Sequence, residues 1–177
     1  MSELGYSNLG FINLAIVYFT FSMASLFLSV PINKKLGHKY TMFFSAAAYA
    51  AWEFAFILPA YKYENYKDVK KDDLPAIFSD SSIIFFSIFS AVLIGLGAGP
   101  LWVSNNCYIS ECASHVNKGR FNALFYSIFQ SSSITGTILS GILIERVSKT
   151  KYYIVMGVIG SIGTVIFLFL RKPQDPY

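Results

Sequence analysis

Charged residues, cysteine and histidine are all scarce in this chain of 177 residues. Lys, Arg, Asp and Glu together make up 14% of it, and there are two cysteines and two histidines. Cys107 and Cys112, five residues apart, point away from each other on a helix and form no disulfide framework. The sequence contains neither a G-x-S-x-G nucleophile elbow nor a closed zinc pattern. We therefore predict no enzymatic activity, no metal and no cofactor.

The sequence also lacks a cluster of basic residues that would form an extended basic surface. The 14 Lys and Arg residues outnumber the 10 Asp and Glu residues, but nearly all of this charge lies in short segments beside apolar runs. Membrane proteins anchor the ends of their helices in this way. The sequence therefore predicts no nucleic-acid partner.

Long apolar runs fill most of the chain. A bilayer core about 30 Å thick needs roughly 20 apolar residues of helix, and no other open structure satisfies its backbone in lipid. We predict an all-α, multi-pass bundle of five spans in one membrane domain, residues 1–177, with its termini on opposite faces. The spans are 9–30, 40–60, 82–103, 121–144 and 152–170, and the polar loop is 61–81.

The first two spans are joined by the short stretch Pro31 to Lys39, which predicts a turn between antiparallel neighbours. The positive-inside rule leaves the orientation open, because each face has seven Lys and Arg residues. One face has Lys34, Lys35, Lys39, Lys118, Arg120, Arg171 and Lys172, and the other has Lys62, Lys67, Lys70, Lys71, Arg146, Lys149 and Lys151.

Small residues recur at helical spacing in the last three spans. Such residues let helix backbones approach closely in lipid, where hydrophobic association is weak. The glycines of a dinucleotide-binding loop follow a β-strand, and no strand is predicted in this sequence. We therefore predict helix-packing faces, whose partners lie either within this chain or in other proteins: Gly95 and Gly99; Ser132, Gly136 and Ser140; and Gly157 and Ser161.

Two sites have competing interpretations. Glu53 is an ionisable residue within a span, so it is either an intramembrane relay for protons or cations or a buried polar contact. Glu111, Lys118 and Arg120 bracket the segment between the third and fourth spans. They form either a gating ion pair or a solvated loop.

Several motifs resemble the UNC-type ion-channel regulatory branch of the major facilitator superfamily. The third and fourth spans, with the segment between them, carry Gly95 to Trp102, Tyr108, Lys118-Gly119-Arg120 and Phe129 to Ser132. Upstream, Lys34-Lys35-Leu36-Gly37-His38-Lys39 is similar to the superfamily's basic loop, with Gly37 and Lys39 at its glycine and basic positions.

The resemblance implies that the five spans correspond to helices two to six of a truncated amino-terminal half, with the loop at Lys34 to Lys39 on the cytosolic face. Some polar positions depart from the family. Lys34 stands where an acid is usual, Asn105-Asn106-Cys107 stands for Gln-Gly-Thr, and Thr137 follows Gly136 where Asn is common.

Two functions from different classes are consistent with these features. The first is a non-catalytic structural or accessory subunit of a larger membrane complex, whose partners are other membrane subunits and lipids. The second is a part of a split or oligomeric secondary transporter, since facilitators work by rocking one half against the other. A third, by analogy with the family, is modulation of an ion channel. The mitochondrial inner membrane is the expected location.

Overall fold

The computed structural model describes residues 7–66, 74–114 and 116–171, and these residues form helices without a strand among them. The helices are α1 (Ser7–Met23), α2 (Ser29–Ala55), α3 (Ile57–Asn65), α4 (Asp80–Cys112), α5 (Lys118–Arg146) and α6 (Lys149–Ile166). Within these ranges, four helical stretches are long and apolar enough to cross a membrane, and the first, Asn8–Asn65, contains the first two predicted spans. The predicted all-α membrane bundle is confirmed.

The connection between the first two spans differs from the predicted turn. A π-helix, Ala24–Leu28, follows α1 and leads directly into α2. Pro31 lacks the N–H that an α-helix would use, and a wider turn before it accommodates this loss. Helical structure therefore continues through Pro31. Within α2 the helical conformation is interrupted at Gly37, where φ is 73° and ψ is 166°. Essentially only glycine adopts this conformation.

α4 is the central helix of the bundle. It packs against both α1 and α2, which have little direct contact with each other, and α6 packs against α2. The expectation that the first two spans are direct neighbours is therefore wrong, because α4 supplies the surface that both of them pack against.

Two helices have serine caps at their amino-terminal ends. At the start of α4, the hydroxyl of Ser79 accepts a hydrogen bond from the backbone N–H of Ser82 at 3.2 Å. At the start of α6, Ser148 does the same for Lys151 at 3.4 Å. The predicted loop 61–81 contains the last residues of α3 and a 3₁₀ turn, Ala76–Phe78, and its residues 67–73 lie outside the described ranges.

Candidate functional site

The predicted face of Gly95 and Gly99 on α4 lies against α1 and the π-helix that follows it. A Cβ at Gly95 would overlap the hydroxyl of Thr20, and a Cβ at Gly99 would lie 2.6 Å from the backbone nitrogen of Ser25. Both neighbours belong to the first predicted span, so the partner of this face lies within the chain.

A second glycine interface joins α2 to α6. A Cβ at Gly157 would lie 2.5 Å from the ring of Phe54. Ser161 donates its hydroxyl to the carbonyl oxygen of Gly157 at 2.8 Å, and Phe56 stacks on Tyr153 with ring centroids 5.5 Å apart. The partner of the predicted Gly157 face is therefore α2.

α5 differs from both interfaces because none of its residues is buried. A Cβ at Gly136 would have no atom within 4 Å, and Ser132 donates to the carbonyl of Phe129 in its own helix. Ser140 reaches another helix, through a bond to the Tyr152 hydroxyl at 2.6 Å. Most of the predicted packing face of α5 thus has no partner among residues 7–66, 74–114 and 116–171.

Glu53 lies on α2 and is half-buried. It is four residues after Tyr49, which lies beside Trp102 of α4, and three residues before Phe56, which contacts α6. Residues three and four apart share a helix face, so Glu53 belongs to the face between α4 and α6. Its carboxylate makes no hydrogen bond or ion pair within the described part of the chain.

The end of α4 is a hydrogen-bonded junction. The ring of His38 bonds to the Ser104 hydroxyl at 3.1 Å through Nδ1 and to the Glu111 carboxylate at 2.9 Å through Nε2. Ser104 is fully buried and also donates to the carbonyl oxygen of His38 at 3.3 Å. Glu111 therefore pairs with His38, and the described residues show no ion pair between Glu111 and Lys118 or Arg120.

The basic residues of the family-like motifs surround this junction. Lys34, Lys35 and Gly37 precede His38, and Lys39 follows it, while Lys118, Gly119 and Arg120 form the first turn of α5. All of them are exposed except Lys39, which is half-buried and lies 6.0 Å from the ring centroid of Tyr40. These segments are thus part of one end of the bundle.

Two buried contacts were not predicted from the sequence. Asn13 of α1 donates to the hydroxyl of Ser87 of α4 at 2.6 Å, and both side chains are buried. The second contact is between Ser104 and His38. An amide within an apolar run was the available signal for Asn13, since buried amides in lipid need partners. The described residues contain no group of three His, Cys, Asp or Glu side chains that could hold a metal.

Comparisons with known proteins agree with this architecture. The family model of the Major Facilitator Superfamily matches residues 1–177. The "UNC93-like protein MFSD11" of Xenopus laevis is 25% identical over 181 residues, which cover 99% of this chain and 35% of that protein. "Protein unc-93 homolog A" of Danio rerio is 26% identical over 145 residues, covering 76% of this chain and 26% of the relative.

A relative from Schizosaccharomyces pombe is similar to this chain over a shorter stretch. The "UNC93-like protein C922.05c" of Schizosaccharomyces pombe is 29% identical over 93 residues, which cover 50% of this chain and 18% of that protein. No solved structure matches the chain significantly. The chain spans about a third of the length of the first relative that it matches. It belongs to the Major Facilitator Superfamily, and these relatives are UNC93-like or unc-93 proteins.

Proposed function

We propose that this membrane protein of the UNC93 kind is a non-catalytic structural or accessory part of a larger integral membrane complex. The observation that carries the proposal is the exposure of α5, which contacts the other described helices through only a few side chains, among them Tyr126, Phe129 and Ser140. This helix is long and apolar enough to span a membrane, yet none of its residues is buried. A helix of this kind needs neighbours if its surface is unsuited to lipid.

The surface of α5 is polar near its middle. Four hydroxyls there are satisfied within the helix: Ser131, Ser132, Thr135 and Thr137 donate to carbonyl oxygens three or four residues earlier. Gln130 makes no such hydrogen bond to the backbone of its own helix. Its carboxamide is exposed and makes no hydrogen bond to a described residue.

An unpaired carboxamide in hydrocarbon is costly, and polar side chains in membranes form hydrogen bonds between helices. Ser132 and Gly136, four residues apart, lie on a different face of the same helix from Gln130, and nothing lies within 4 Å of a Cβ at Gly136. These features support a partner helix from another membrane protein segment on α5.

Transport is the second candidate, and Glu53 favours it. A half-buried carboxylate within a span, without a partner among the described residues, is suited to carrying a proton or cation. Such a role would make the chain one part of a split or oligomeric secondary transporter. Channel modulation is a weaker alternative, and it depends on analogy with the family.

Site-specific photocrosslinking tests the main proposal in the native membrane. A photoreactive residue at position 130 should capture a protein segment, whereas one at Phe11, which is 77% exposed on α1, should capture mainly lipid. Capture of lipid alone at both positions would contradict the proposal.

Purification in mild detergent tests the same face by substitution. Gln130→Leu should release the partner while the helices of the chain stay folded, and Ile128→Leu on the same helix is the matched control. Glu53→Gln separates the two functions. The structural role predicts an intact complex after this substitution, and the transport role predicts lost solute flux in proteoliposomes.

The membrane that holds the complex stays a prediction. We expect the mitochondrial inner membrane, and subcellular fractionation of the tagged full chain would test this location. Enrichment with another membrane would show that the expectation is wrong.

A further inference from the structure

Three basic segments of the chain are tied to the last turns of α4. The segment around Gly37 is held by the bonds from His38 to Ser104 and Glu111. The segment after α6 is held by Tyr108, whose hydroxyl donates to the carbonyl oxygen of Arg171 at 2.9 Å. The first turns of α5 are held by Tyr126, which bonds to Asn106 at 3.3 Å. These segments therefore lie around the same helix end.

Together they carry six basic side chains and little acid, and we call this surface the basic end. Glu111 is its one acid among the described residues, and that acid is engaged by His38. A further acid of the sequence, Asp175, lies in residues 172–177, outside the described ranges. None of the six basic side chains forms an ion pair within those ranges. The six are Lys34, Lys35, Lys39, Lys118, Arg120 and Arg171.

At the opposite end of the bundle, the described residues include three acids, Glu64, Asp80 and Glu145. Lys62 forms an ion pair with Asp80 at 2.6 Å. Glu64 accepts a hydrogen bond from the backbone N–H of Thr150 at 3.2 Å, and the ammonium of Lys149 lies 4.4 Å from the ring centroid of Tyr63. The two ends therefore differ in how many described acids lie near their basic residues, although the two ends have equal numbers of Lys and Arg residues in the sequence.

We propose that the basic end binds the headgroups of anionic phospholipids. Its cations lie at the depth of the headgroups: Lys34 follows the apolar run that ends at Val30, Lys118 and Arg120 precede the run that begins at Phe121, and Arg171 follows Leu170 directly. Clusters of Lys and Arg beside membrane helices attract anionic lipid. Arginine also binds phosphate through two parallel hydrogen bonds.

A lipid fits this surface better than a soluble polyanion. The cations are distributed around the rim of a helix bundle, next to hydrocarbon, and a headgroup reaches them while its acyl chains stay in the bilayer. The binding fixes an orientation, because the basic end then faces the more anionic leaflet. This inference is independent of the partner proposed for α5.

The test measures lipid selectivity in two variants of equal charge change. The full chain, purified together with any protein that remains bound to it, is reconstituted in phosphatidylcholine nanodiscs that contain a minor fraction of phosphatidylglycerol. Retained phosphatidylglycerol is measured by native mass spectrometry. Lys34→Gln with Arg120→Gln alters the basic end, and Arg146→Gln with Lys151→Gln is the matched control at the opposite end.

We expect the basic-end variant to lose about fivefold in phosphatidylglycerol selectivity per charge, while the control keeps the selectivity of the natural chain. Equal losses in both variants, or no loss in either, would overturn the proposal. Inorganic phosphate added at low concentration should leave the lipid in place, and its displacement would show that the surface is a site for free phosphate instead.

A second measurement uses the unaltered chain and so does not depend on the folding of a variant. Raising the salt concentration shortens the range of electrostatic attraction, so the selectivity for phosphatidylglycerol over phosphatidylcholine should fall. A selectivity that is independent of salt would contradict electrostatic binding at this surface.

Discussion

Gly99→Ala should loosen the packing of the π-helix Ala24–Leu28 on α4. The added Cβ would lie 2.6 Å from the backbone nitrogen of Ser25 and 2.8 Å from the carbonyl carbon of Ala24, whereas ordinary contact begins near 3.4 Å. Both neighbours are backbone atoms, so no side-chain rotation relieves the clash, and the two helices must separate by about 0.8 Å.

The expected magnitude is the difference between two effects. Overpacking a well-packed interior costs about 1–3 kcal/mol, and replacing glycine by alanine inside a helix regains about 0.5–1 kcal/mol. We expect a net loss of about 1–2 kcal/mol in the free energy of unfolding.

Gly163→Ala is the matched control, because nothing lies within 4 Å of a Cβ at that glycine of α6. It keeps only the gain in helix propensity and should be neutral or slightly stabilising. Reversible unfolding of the two variants in mixed micelles with added sodium dodecyl sulfate measures the difference. If Gly99→Ala unfolds at the same detergent fraction as Gly163→Ala, close approach of the π-helix Ala24–Leu28 to α4 at Gly99 is refuted.

Three further substitutions test contacts elsewhere in the bundle. Ser87→Ala leaves the buried amide of Asn13 without its bond and should cost between about 0.6 and 1.7 kcal/mol, the average and the maximum measured for hydrogen bonds between membrane helices; an unchanged unfolding curve would contradict this. Gly37→Ala should cost about 1–3 kcal/mol, because alanine cannot adopt a φ of 73° without strain, and full stability would show that the break is not needed. Ser140→Ala removes a bond to Tyr152 and should speed amide hydrogen exchange in α5 while α2 and α4 keep their protection.

Much of the fold could be predicted from the positions of the apolar runs. Lipid forces each run into a helix because the backbone must satisfy its own hydrogen bonds. The turn at Pro31 was misplaced for a local reason. Proline usually ends a helix, but the π-helix Ala24–Leu28 absorbs the missing bond here, and sequence spacing does not reveal such a widened turn.

The candidate site was less predictable because it depends on which helices meet. Gly95, Gly99, Gly136 and Gly157 looked alike in the sequence, as small residues inside apolar runs. Only the fold distinguishes Gly95 and Gly99, which face α1 and the π-helix after it, from Gly136, where a Cβ would have nothing within 4 Å. His38 and Glu111 are 73 residues apart, and no local pattern pairs two groups at that separation.

The sequence by itself determined that this chain lies in a membrane as a helical bundle, because hydrophobicity and run length act locally along the chain. The tertiary structure decided which helix is central, which glycines are in contact and which acid neutralises which base. Those properties depend on distances between residues far apart in the sequence. The exposure of α5 and the uncompensated charge of the basic end are therefore visible only once the helices are packed.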